Sequence, residues 1–168
     1  GTNNLSALGV ADVFITKYDQ NGNTLWARNA GGRRGAAYAI TTDISGNAFI
    51  TGYSDSTITF GNYTLTLNNN WYGGIFVAKY DASGNAIYAK AAGGNTSCSG
   101  TGICVDVIGN IFIIGYFNDN SPPSTIWFGN ISLSYYGSCY DVFVAKLSNA
   151  TDVQSFDNFE SEINTFPN

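Results

Sequence analysis

Asp12-Val-Phe-Ile-Thr-Lys-Tyr-Asp19 returns as Gly74-Ile-Phe-Val-Ala-Lys-Tyr-Asp81 and again as Asp141-Val-Phe-Val-Ala-Lys-Leu-Ser148. The lysines Lys17, Lys79 and Lys146 set the spacing at 62 and then 67 residues. Self-similarity at a fixed period is the mark of a repeat architecture. The match continues outward. Gly22-Asn-Thr-Leu-Trp-Ala-Arg-Asn-Ala-Gly-Gly32 pairs with Gly84-Asn-Ala-Ile-Tyr-Ala-Lys-Ala-Ala-Gly-Gly94. Gly46-Asn-Ala-Phe-Ile-Thr-Gly-Tyr53 pairs with Gly109-Asn-Ile-Phe-Ile-Ile-Gly-Tyr116, and Ile58-Thr-Phe-Gly-Asn-Tyr-Thr-Leu65 with Ile126-Trp-Phe-Gly-Asn-Ile-Ser-Leu133.

Each piece is short, rich in Val, Ile, Phe, Tyr and Thr, and bounded by Gly, Asn and Asp, which predicts strands. No helical stripe survives the glycines. Asp19, Asp43, Asp81 and Asp106 each open an Asp-x-x-Gly-Asn segment. The carboxylate accepts from backbone N–H groups just ahead, and Gly supplies a left-handed residue, so each segment predicts a tight hairpin. Four antiparallel strands in succession make a meander, the blade of a β-propeller. The expected fold is all-β: an incomplete propeller of about two and a half blades. Residues 1–32 supply strands three and four of one blade, 33–94 a complete blade, 95–150 strands one to three of the next, and 151–168 a tail or linker. Strand one is expected to line a central channel. The Phe-Gly-Asn excursion is expected to be an insertion on one face, between strands two and three.

The pattern Asp-x-Phe-Val-Ala-Lys-Tyr-Asp-x-x-Gly-Asn, then Trp-Ala-Arg, Gly-Gly and Asp-x-x-Gly-Asn-x-Phe-Ile-x-Gly-Tyr resembles the bacterial β-propeller repeat family, often called the SBBP repeat. The resemblance spans about residues 10 to 148. It implies large extracellular or cell-surface bacterial proteins with no established catalytic motif. The end of the acidic tail, Phe166-Pro167-Asn168, resembles the lead-in to the sorting domain of type IX secretion substrates of Bacteroidota, and a plain linker accounts for it equally.

The chain has 168 residues, 44% hydrophobic and only 11% charged, against roughly 25% charged in ordinary domains. Seven basic against 12 acidic residues argue against nucleic acid as a partner. No run approaches the roughly 20 apolar residues of a membrane helix. The absence of His removes the commonest general base and metal ligand. Eleven of the 19 charged residues recur at repeat positions, which leaves Arg33, Arg34, Asp55, Asp119 and the four acidic residues of the tail, Asp152, Asp157, Glu160 and Glu162. Recurrence suits turns and pairing, whereas an active site needs one special environment. The expectation is therefore no catalytic residue, no metal and no cofactor. Asp55 and Asp119, in corresponding loops after strand two, have the residue type of a glycosidase carboxylate pair, and their near-equivalence favours a structural role. The Asp-x-x-Gly-Asn turns each offer one carboxylate, too few for a calcium loop.

Cys98, Cys104 and Cys139 have no metal-binding spacing. Cys104 is expected in the core of strand one. A Cys98–Cys139 disulfide is compatible with the topology, and so are three free thiols. Trp71, Tyr72, Tyr135, Tyr136 and Tyr140, in the polar connections to strand three, suit carbohydrate stacking or protein contact. They also suit packing on the blade's own surface. The sequence is thus read as a non-catalytic scaffold or adhesion segment of a secreted or cell-surface protein. The alternatives are a lectin-like module binding glycan through those aromatics and part of a propeller hydrolase. Expected partners are the remaining blades of a longer chain or other subunits supplying them.

Overall fold

The computed structural model describes residues 4–67, 73–118, 124–135 and 140–148. Thirteen strands form in order, and no helix occurs among the described residues. They are β1 (Val13–Tyr18), β2 (Thr24–Gly32), β3 (Gly35–Thr42), β4 (Ala48–Ser54), β5 (Thr57–Phe60), β6 (Tyr63–Thr66) and β7 (Gly74–Tyr80). There follow β8 (Ala86–Gly94), β9 (Ser97–Val105), β10 (Ile111–Asn118), β11 (Ser124–Phe128), β12 (Ile131–Tyr135) and β13 (Tyr140–Leu147).

The strands make three antiparallel sheets, ordered β1-β2-β5-β6, β3-β4-β7-β8-β11-β12 and β9-β10-β13. The meander β3-β4-β7-β8 is a four-stranded propeller blade, with β3 on the inside and β8 outermost. β9 repeats the place of β3 and packs against β3 and β4 of the preceding blade.

The Phe-Gly-Asn excursion lies in chain order between β4 and β7, strands two and three of its blade, but is more than the insertion on one face that was expected. It forms a hairpin, β5–β6, that crosses to the preceding sheet and pairs with the outer strand β2 through Ala30↔Phe60, Gly31↔Thr59 and Gly32↔Ile58. The next hairpin, β11–β12, repeats the move onto β8 through Gly94↔Ile126 and Gly93↔Trp127. The physical reason lies at the outer edge. That strand has open N–H and C=O groups to satisfy, and its Gly-Gly end admits another backbone. A Cβ on Gly32 would lie 2.2 Å from the Thr57 carbonyl oxygen, and one on Gly94 1.8 Å from that of Thr125.

The core is two slabs, each between neighbouring sheets. Val13, Ile15, Trp26 and Ala30 of the first sheet meet Ile50, Phe76, Ala78 and Tyr80 of the second, with Ile58 and Phe60 of the crossing hairpin. Phe49, Ile75 and Val77 on the other flat of the second sheet meet Ile111, Ile113, Phe143, Ala145 and Leu147, with Ile126 and Phe128 of the second hairpin. Phe60 lies against Phe76 with ring centroids 4.9 Å apart, and Phe128 against Phe143 at 5.0 Å. Alternation on β7 therefore sends successive residues to opposite slabs, as the two-residue period of a strand requires.

The cysteines reverse the expected burial. Cys98 falls inside β9 and is buried, while Cys104 is exposed. Six residues apart, they would share a face of a regular strand. A register shift opposite Ile114 and Gly115 leaves Thr101 unpaired and flips the alternation between them.

Candidate functional site

Strand direction divides the molecule into two ends. The β1–β2, β3–β4, β7–β8 and β9–β10 turns lie at one end. At the other lie the links between blades and the strand ends that flank the crossing hairpins.

The turn end is built four times over from one set of bonds. In the turn opened by Asp81, the backbone N–H groups of Ser83 and Asn85 donate to Asp81 Oδ1 at 2.9 and 2.8 Å, and Asn85 Nδ2 donates to Oδ2 at 2.9 Å. Gly84 donates back to the Asp81 carbonyl at 3.0 Å and takes φ +82°. Asp19, Asp43 and Asp106 hold the same contacts. Asn23 and Asn85 hold the carboxyls of Asp19 and Asp81 below the ordinary range. At Asp43 and Asp106 partial burial pulls upward, and the bonds from Asn47 and Asn110 outweigh it. With both oxygens spent on the turn, these carboxylates are occupied structurally. Among the described residues no group of three or more His, Cys, Asp or Glu comes together.

The recurring basic residues are similarly employed. Lys17 Nζ and Trp26 Nε1 both donate to the Ala82 carbonyl at 3.0 Å, tying the first sheet to the turn of the second. Lys79 lies 5.0 Å over the Phe49 ring, and Lys146 holds the equivalent place at 6.0 Å over Phe112. Trp26 stacks on Tyr80, centroids 6.4 Å apart, and Tyr88 packs on the second slab, so both outer-strand aromatics serve packing.

The connector end differs from unit to unit. Arg33 and Arg34 form the link between the first two blades, and Asp55 follows β4. The Arg33 guanidinium pairs with Asp55 at 2.8 Å, and Asp55 N–H donates to the Arg34 carbonyl at 3.1 Å. Val10 N–H donates to the Arg33 carbonyl at 2.9 Å, and Gly35 N–H to that of Ala11 at 2.8 Å. Val10, Arg33, Arg34, Tyr53 and Asp55 line a cavity of about 240 Å³. Asp55 is buried, and its second oxygen, Oδ1, has no hydrogen-bond partner. The ladder places Ser54 opposite Gly74 and Phe117 opposite Asp141, so the residue corresponding to Asp55 is Asn118 rather than Asp119. The residue corresponding to Arg33 is Asn95. The charged pair thus occurs at the first junction and is replaced at the second. Asp119 lies outside the described residues.

Of the sequence-nominated aromatics, Trp71, Tyr72 and Tyr136 lie outside the described residues. Tyr135 ends β12. Tyr140 opens β13 at the connector end, exposed, with its ring edge-on to Tyr116 at 5.2 Å. Cys139 also lies outside the described residues. Burial pushes the Cys98 thiol up to about 12, which keeps it in the unreactive protonated form. Sequence reasoning set Arg33, Arg34 and Asp55 apart as charges that do not recur. It missed that Arg33 and Asp55 meet, because they stand on different strands' ends.

Residues 26–58 match the beta-propeller repeat family, SBBP. That segment begins on β2 and ends on β5, which pairs with it. The chain is also similar to an uncharacterized WD repeat-containing protein of Acanthamoeba polyphaga mimivirus, 30% identical over 154 residues. The similarity covers 86% of this chain and 11% of that much longer protein. An all-β chain of stacked antiparallel blades, carrying a propeller repeat, is what the comparisons and the fold together show.

Proposed function

We propose that this chain is a non-catalytic propeller scaffold that presents its connector end to a partner, in a secreted or cell-surface protein. The observation that carries the reading is the division of labour between the ends. The Asp-x-x-Gly-Asn frame of the turn end is the same in all four turns and its carboxylates are consumed internally, while its two middle residues vary. The connector end changes its charged and aromatic residues from one junction to the next on an unchanging support. Binding residues belong on such variable loops. The extracellular setting, and export by a type IX route in a Bacteroidota-type cell, rest on the sequence resemblance and the Phe166-Pro167-Asn168 ending. The remaining blades of a longer chain are the expected neighbours.

The test is attachment of the fluorescently labelled chain to intact cells of a Bacteroidota strain, with a connector-end variant (Arg33→Ala with Tyr140→Ala) beside a turn-end variant (Ser45→Ala). Binding lost only in the first supports the reading. Binding by neither, or equal loss in both, removes it. A second reading, glycan binding, draws on the exposed Tyr140 ring held edge-on by Tyr116. A glycan array decides it: a sugar signal that Tyr140→Ala abolishes supports a lectin, and no signal rejects it.

A further inference from the structure

The two junctions between blades are equivalent in the repeat but are closed by different chemistry. At the second, Asn95 Oδ1 accepts from the Thr125 N–H at 2.7 Å, and the buried Thr96 hydroxyl donates to the Asn118 carbonyl. Both side chains are engaged in holding the link. At the first, Arg33 and Arg34 take the places of Asn95 and Thr96, and Asp55 that of Asn118. The fold therefore does not need charge to join two blades, and the charges at the first junction are open to another role.

There the backbone is clamped, since the Arg34 carbonyl accepts from the Ser54 hydroxyl at 3.2 Å and from the Asp55 N–H at 3.1 Å. The side chains of Arg33, Arg34, Tyr53 and Asp55 line the cavity of about 240 Å³. Arg33 neutralises Asp55 through Oδ2, while Oδ1 stays buried without a donor, a state that buried polar groups rarely keep. The Arg34 guanidinium has no ion pair among the described residues. Burial, and after it the Asp55 charge, raises the Tyr53 hydroxyl above its ordinary value, so it stays protonated and able to donate. Two arginines against one carboxylate leave one surplus positive charge on the cavity wall.

These unmet demands define an occupant. The surplus charge calls for one anionic group, and the planar guanidinium of Arg34 suits a carboxylate. Oδ1 calls for a donor, and that donor is a hydroxyl rather than an ammonium, because Arg33 already balances the Asp55 charge. Val10 and the Tyr53 ring supply an apolar wall for C–H groups. The volume is below the roughly 300–1,000 Å³ of drug-sized sites, which limits the occupant to about one sugar ring. We infer that the first junction binds a uronic acid unit, with its carboxylate on Arg34 and a ring hydroxyl donating to Asp55 Oδ1. The inference rests on the connector-end reading and names a ligand for it.

Isothermal titration calorimetry of the 168-residue chain with sodium glucuronate tests it. Glucose, a ring without the carboxylate, and acetate, a carboxylate without the hydroxyls, are titrated beside it. Glucuronate is expected to bind saturably, one per chain, and both controls about tenfold or more weakly. Arg34→Gln alters an exposed side chain, so the variant folds, checked by circular dichroism, and it should weaken glucuronate by a similar factor. Ser45→Ala, at the turn end, should leave the affinity unchanged. No saturable binding of glucuronate overturns the inference. So does equal binding of glucose or acetate, or an affinity that Arg34→Gln leaves intact. Those results leave cell attachment through the connector end standing. Glucuronate binding by a chain that does not attach to cells removes the attachment reading alone.

Discussion

At the residue scale the turns explain why Gly and Asp recur. Gly84 sits at φ +82°, and a Cβ there would lie 2.6 Å from the Trp26 ring of the neighbouring sheet. Gly22 takes φ +81° but faces open space. Both substitutions to Ala strain the backbone, by about 1–2 kcal/mol. Gly84→Ala must also move Trp26, so urea unfolding is expected to show it as the more damaging of the two. The depressed carboxyls have a second consequence. A group whose folded pKa lies below its unfolded value adds stability above the unfolded value, near 3.8 here, and loses it as pH falls through the folded one. Unfolding midpoints should therefore drop on acidification below about pH 4, and Asp81→Asn should flatten that dependence.

At the element scale the crossing hairpins decide cohesion. Phe60 is fully buried and lies against Phe76, so Phe60→Ala is expected to cost about 3–5 kcal/mol by denaturant melting. Gly94→Ala should detach β11 from β8 and expose the amides of Ile126 and Trp127 to hydrogen exchange. Strands and tight turns were legible in the sequence because each is signalled locally, by period-two alternation or by Asp, Gly and Asn at fixed offsets. The destination of the hairpin was not. Phe-Gly-Asn announces a hairpin but says nothing of which open edge it joins, and the Gly-Gly pairs that admit it look like ordinary loop residues. The Cys98 and Cys104 reversal has the same origin: alternation predicts faces only until a bulge shifts the count. Within the connector-end cluster, the non-recurrence of Arg33, Arg34 and Asp55 was readable, whereas the Arg33–Asp55 pairing required knowing the register that sets the start of β3 against the end of β4, Gly35 opposite Ser54.

At the scale of the whole molecule, protection should follow position within the array. Amides of β4 and β7, paired on both sides and covered on both flats, are expected to exchange slowest, and those of β1 and β13, each paired on one side among the described residues, faster. Breaking the Arg33–Asp55 pair by Arg33→Ala leaves a buried carboxylate without its counter-charge, a cost of about 1–3 kcal/mol. Thermal melting should register that loss. The backward reach of each hairpin means that the genetic repeat and the physical blade are out of step. A duplicated unit arrives carrying its own fastener for the blade ahead of it, so such an array can lengthen or shorten by whole units while every joint already made stays latched.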